Sequence, residues 1–170
     1  MNTFAAALGP QLLAGLVSLV AGLVGVLIAF RLERAARRRD AVDDATERVL
    51  LRVSEYASSM QLYADEYRGT FISRPINEPR PPGPRRPSGF EAQTAIEILA
   101  MRTRRGQRSV VEQFADAWSS VRKSDSADDA VAAAGFFTGA LSGWRTGKSM
   151  NLGDELTEVR VTAAGVNSPN

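Results

Sequence analysis

The chain contains no cysteine and no histidine. Without cysteine there is no disulfide framework, no thiolate nucleophile and no thiolate zinc site. Without histidine the commonest general base and the commonest transition-metal ligand are both missing. Together these absences exclude Ser-His-Asp and Cys-His catalysis and most zinc chemistry. Charge is missing from residues 1–30 altogether. Lysine is nearly missing too: Lys123 and Lys148 are the only two, so 19 of the 21 basic residues are arginine, a composition that hints at a GC-rich bacterial genome.

What is present is ordered along the chain. Residues 11–30 are rich in Leu and Val, with Gln11 and Ser18 their only polar side chains. At ~1.5 Å rise per residue, twenty helical residues cover ~30 Å, the thickness of a bilayer's hydrocarbon core. Pro10 suits the first turn of a helix, which places the start near Leu8 or Gly9. A cleaved signal peptide needs positive charge before the apolar run. Here the order is reversed, because Arg31, Arg34, Arg37, Arg38 and Arg39 follow it. Cytoplasmic flanks are enriched in Arg and Lys, so this reads as one transmembrane helix with the N-terminus outside and residues 31–170 inside. The expected location is the bacterial cytoplasmic membrane. The flanking arginines also suit anionic headgroups.

Within the span Ala14, Ser18 and Gly22 stand four apart, as do Ala21, Gly25 and Ala29. Small-xxx-small rows let helix backbones approach closely in lipid. These residues are candidates for helix association.

Residues 31–68 read as one long amphipathic helix, continuing from the span. Val42, Val49, Tyr56 and Tyr63 repeat every seven residues, as do Thr46, Val53, Met60 and Tyr67. With Leu50, Ala57 and Ala64 they make a stripe wide enough for a helical bundle. Leu51 and Leu62 fall on the opposite face, either as ordinary exposed leucines or as a second contact surface, with the ordinary reading favoured. Residues 69–89 hold six of the eight prolines and predict an extended, solvated linker. Pro81-x-x-Pro84-x-Arg86 matches a proline-rich ligand pattern that any such linker produces by chance.

Ser88 with Glu91 forms a capping-box pattern opening a helix with Ala92, Ala95, Ile96 and Leu99 on one side. Gly106 marks the expected break. Val110, Val111, Phe114, Trp118 and Val121 then predict a second amphipathic helix, with Trp118 as a core anchor. Between the two lie Arg102, Arg104, Arg105 and Arg108, either a phosphate-binding patch or a solvated helix end. No aromatic residues interleave these arginines, which disfavours nucleic acid.

Ser126 predicts an N-cap for a helix running from Ala127 to about Gly143. Gly135, Gly139, Gly143 and Gly147 recur every fourth residue. Gly costs ~1 kcal/mol against Ala inside a helix, so the row calls for a reason such as a flat contact face or membrane association. Residues 143–149 imitate a phosphate-binding loop, but with one residue too few between the glycines and no preceding strand. Residues 151–166 fit a short helix carrying Leu156, Val159 and Ala163, or a strand over 157–162, with helix favoured. Residues 167–170 should fray.

The expected architecture is all-α: a short extracytoplasmic N-terminus at 1–10, a transmembrane helix at 11–30, a long helix at 31–68, a linker at 69–89, and helical segments over 90–166 packing on 31–68 as a small cytoplasmic bundle. No catalytic residue, cofactor or small-molecule substrate is assigned. Asp44 and Glu47, three apart, are the nearest approach to a metal pair and read as a solvated face. The leading expectation is a non-enzymatic, single-pass membrane protein acting through a protein partner or self-association. One alternative is a holin-like or pore-forming protein with a second membrane-associated helix at 130–144. Another is a membrane-tethered binder of nucleic acid or anionic lipid through the arginines of 102–108.

Overall fold

The computed structural model describes residues 3–72, 83–149 and 151–165, with side chains described from 19 onward except at 21 and 70–72. Five helices follow one another: α1 (Thr3–Ile72), α2 (Phe90–Arg102), α3 (Arg105–Lys123), α4 (Ala127–Thr146) and α5 (Leu152–Ala163). No strand occurs among the described residues. The chain divides into two compact units, Met1–Ala41 and Val42–Asn170.

In the first unit α1 begins at Thr3, ahead of the start expected near Leu8. Ala5, Ala6, Ala7 and Leu8 are strong helix formers and carry the helix through that stretch. Leu19, Val20, Leu23, Val24, Val26, Leu27, Ile28 and Phe30 are all exposed. No helix among the described residues is long and apolar enough to cross a membrane. The transmembrane helix expected over 11–30 therefore has no support from this part of the structure. Residues 11–18 and 21, which complete that run, lie outside the described side chains.

In the second unit the helices enclose one core. Val49, Val53, Tyr56, Met60 and Ala64 of α1 are buried, as the seven-residue rows predict, while Val42 and Leu50 are half-buried and Tyr67 is exposed. Ala92, Ala95, Ile96 and Leu99 of α2 are buried, and so are Val111, Phe114, Trp118 and Val121 of α3. Each such large side chain withdrawn from water contributes about 1.5–3 kcal/mol. A chain of aromatic contacts runs through the centre. Tyr56 meets Trp118 edge-on at 5.1 Å, Trp118 meets Phe137 at 5.4 Å, and Phe137 meets Phe114 at 5.5 Å. These rings bind α1, α3 and α4 together, in the edge-to-face geometry that aromatic quadrupoles favour.

Four local expectations are revised. α1 runs four residues past Arg68, to Ile72, into the expected linker. Residues 73–82 lie outside the described residues, and the Pro81 end of the proline-rich pattern with them. Residues 83–89 are neither helix nor strand, as expected, but their end is docked rather than solvated. Arg86 Nη2 donates to the carbonyl of Ser124, Arg122 Nε to that of Ser88 at 2.9 Å, and Trp118 Nε1 to that of Gly89 at 3.1 Å. The capping box does not form. Gly89, with φ of 63°, is the N-cap, Phe90 N donates weakly to Ser88 Oγ at 3.4 Å, and Glu91 pairs with Arg52 instead. Glycine is needed there, because a Cβ would lie 3.0 Å from Arg122 Cγ and 3.1 Å from the Tyr56 ring. The break between α2 and α3 falls at Thr103–Arg104, not at Gly106. Thr103 is the C-cap, its backbone extended at φ −79° and ψ 148°, and its N–H and Oγ1 both donate to the Leu99 carbonyl, at 3.0 and 2.6 Å.

Other local readings hold. Ser126 Oγ accepts from Asp129 N at 3.3 Å as the N-cap of α4. α4 runs to Thr146 and ends at Gly147, φ of 69°, with Lys148 N donating to Gly143 O at 2.9 Å. The segment resembling a phosphate loop is thus a glycine-terminated helix end. Residues 152–163 are helix, with Leu156, Val159 and Ala163 buried.

Candidate partner-binding groove

α2 carries two apolar stripes. The inner one feeds the core. The outer one, Phe90, Thr94, Ile98 and Met101, has spacings of four, four and three, which place it on one outward face. Thr94 Oγ1 donates to the Phe90 carbonyl at 3.1 Å, so its hydroxyl is already engaged. Phe90 is 62% exposed and Met101 80% exposed. The Arg122 guanidinium sits 5.8 Å from the Phe90 ring centre.

Leu51 of α1, 56% exposed, lies across from this stripe. Leu51, Ala45, Phe90, Ala95 and Ile98 line an open groove of about 490 Å³ between α1 and α2. Arg48, Arg52 and Glu91 also line it. These charges are held in place by ion pairs. Arg52 bonds Glu55 at 2.7 Å and Glu91 at 2.9 Å, and Arg48 reaches Asp44 at 3.2 Å. The hydrogen bond to Glu55, then the charges of Glu55 and Glu91, hold the Arg52 guanidinium above its ordinary range. A second recess of about 430 Å³ shares Arg52, Phe90 and Glu91 and extends toward Tyr56 and Pro87. An apolar floor among fixed charges suits an apolar helix or peptide segment. Phe90, Ile98 and Met101 were not picked out by the sequence reading, although their 4-4-3 spacing was visible. Leu51, for which a second contact surface is the less favoured of two expectations, lines the groove.

The sequence-derived candidates fare differently. Arg31, Arg34, Arg37, Arg38 and Arg39 are all exposed, and Arg37 pairs with Glu33 at 2.6 Å. Gly22 and Gly25 have nothing within 4 Å of a built Cβ, and Ala14 and Ser18 lie outside the described side chains. Gly135 and Gly139 are exposed and also face open space, so they do not serve close packing within the bundle. Gly143 alone of that row has a neighbour, Ser149, at 3.5 Å. The arginines of 102–108 differ in their surroundings. Arg102 pairs with Asp44 at 2.9 Å and Arg108 with Glu112 at 3.3 Å, while Arg104 and Arg105 are exposed at the start of α3. Asp43 pairs with Arg145, and Asp44 with Arg48 and Arg102. The described residues contain no group of three acidic, His or Cys side chains able to hold a metal.

No family model, curated protein or solved structure matches the chain.

Proposed function

We propose that this chain is a non-catalytic, single-pass membrane protein that presents a cytoplasmic helical domain and receives an apolar segment of a protein partner in the α1/α2 groove. The groove carries the reading. Leu51, Phe90 and Ile98 line one open apolar recess instead of turning into the core, and exposed apolar surface of this kind marks interaction sites. The core is complete without them.

The membrane part of the proposal rests on sequence and helix together. Twenty uncharged residues, 11–30, fall within the single helix α1, and the five arginines follow at once. The described portion of that run carries bulky apolar side chains that are all exposed, a surface that lipid would cover. The arginine flank orients the second unit toward the cytoplasm. A second membrane helix at 130–144 is disfavoured, because Ala130, Ala133, Ala134, Phe137, Ala140 and Leu141 are buried in the core. Absence of His and Cys supports a non-catalytic role.

The experiment is site-specific photocrosslinking from position 51 in native membranes. A discrete adduct to one protein, lost when Ile98→Glu is added and absent with the probe at Glu97, supports the reading. Adduct from positions 51 and 97 alike, or none, removes it. An adduct of twice the chain's own mass identifies a second copy as the occupant.

A further inference from the structure

α1 in the first unit sets three of its five arginines on one face. Read at 3.6 residues per turn, Val20, Val24, Leu27, Arg31, Arg34 and Arg38 are spaced 4-3-4-3-4, which sets all six within an arc of about 80°. All six are exposed. Glu33 and Asp40 lie roughly 160° away from Arg31 and Arg38. Glu33 takes Arg37 into its ion pair at 2.6 Å, which draws that arginine toward the acidic side. Among the described residues no ion pair engages Arg31, Arg34 or Arg38. One stripe therefore joins three apolar side chains directly to three uncompensated guanidinium groups.

We propose that this stripe seats a phospholipid whose headgroup carries net negative charge. The phosphate lies against Arg31, Arg34 and Arg38, and an acyl chain lies along Val20, Val24 and Leu27. Guanidinium groups recognise phosphate oxygens through paired N–H donors. The adjoining apolar half commits the site to a lipid, because a soluble phosphate makes no use of it. Gly22 and Gly25 fall on the opposite side, which leaves their face free for helix association. This inference rests on the membrane reading.

The test reconstitutes the full chain in nanodiscs of equal phosphatidylcholine and phosphatidylglycerol and counts retained lipids by native mass spectrometry. The wild type should retain phosphatidylglycerol roughly tenfold over phosphatidylcholine. The pair Arg34→Gln with Arg38→Gln should abolish that preference. The pair Arg37→Gln with Arg39→Gln removes the same charge from outside the stripe and should leave the preference within about twofold. Equal loss in both pairs, or displacement of the lipid by inorganic phosphate, overturns the stripe while leaving the anchor. Failure of the wild type to enter the bilayer overturns both the stripe and the membrane reading.

Discussion

The indole Nε1 of Trp118 donates a hydrogen bond of 3.1 Å to the carbonyl oxygen of Gly89. It ties the last residue of the proline-rich segment to the centre of the core and fixes where α2 begins. Trp118 is fully buried, so replacing it with Phe both shrinks the packed volume and leaves the Gly89 carbonyl only the longer bond from Gln93 N at 3.3 Å. Losing one such bond costs about 0.5–1.5 kcal/mol. Thermal unfolding of Trp118→Phe in detergent should show a clear drop, and Trp118→Ala a larger one, about 3–5 kcal/mol.

Gly89 and Gly135 should respond to alanine with opposite signs. At Gly89 the positive φ and the tight approach of Arg122 and Tyr56 oppose any Cβ. The variant should lose more than ~1 kcal/mol. Gly135 is exposed, helical and has nothing within 4 Å, so alanine there should add about 0.5–1 kcal/mol. Parallel denaturant titrations of the two variants check the contrast.

The Tyr56 phenol is pushed above its ordinary range, chiefly by burial, with the Arg86 charge opposing the shift. Its hydroxyl nevertheless lacks a hydrogen-bond partner of normal geometry. The folded protein thus holds the phenol proton more tightly than the unfolded chain. Stability from this group is complete below the unfolded value of about 10 and is lost as pH rises through the folded one. Tyr56→Phe should flatten that alkaline decline. At neutral pH it should be within about 1 kcal/mol of wild type, because no bond is broken. Unfolding curves at pH 8 and above pH 10 compare the two.

Leu51→Glu changes an exposed side chain, and its effect on stability should stay within about 0.5 kcal/mol. Partner binding should fall at least tenfold, since a charge would be set on the apolar floor of the groove. Leu62→Glu, more exposed still and outside the groove lining, should leave binding unchanged. Binding of the identified partner by the three proteins decides this.

Much of the bundle was legible because helical periodicity reports burial directly. The seven-residue rows from Val42 to Met60 and the inner face of α2 went where their spacing put them. Ser126 was legible as a cap because its partner, Asp129, is local. Ser88 was not. Arg52, far off in sequence, captures Glu91, and Tyr56, Trp118 and Arg122 close around Gly89, so tertiary contacts displace the local motif. The glycine row of α4 invited a packing role, yet nothing in the spacing said that the Ala130 and Phe137 side would face the core. The groove was the hardest to foresee, because it needs Leu51 and Ile98 from two helices whose contact the sequence does not display.

Because the chain has no cysteine, single cysteines report topology without background. The most direct measurement labels Thr3→Cys and Ser58→Cys with a membrane-impermeant maleimide in intact host cells, with carbonate extraction alongside. Held as proposed, the chain resists extraction, Thr3→Cys labels in intact cells, and Ser58→Cys labels only after permeabilisation. Extraction by carbonate, or labelling of Ser58→Cys in intact cells, contradicts a membrane anchor with an inward-facing domain.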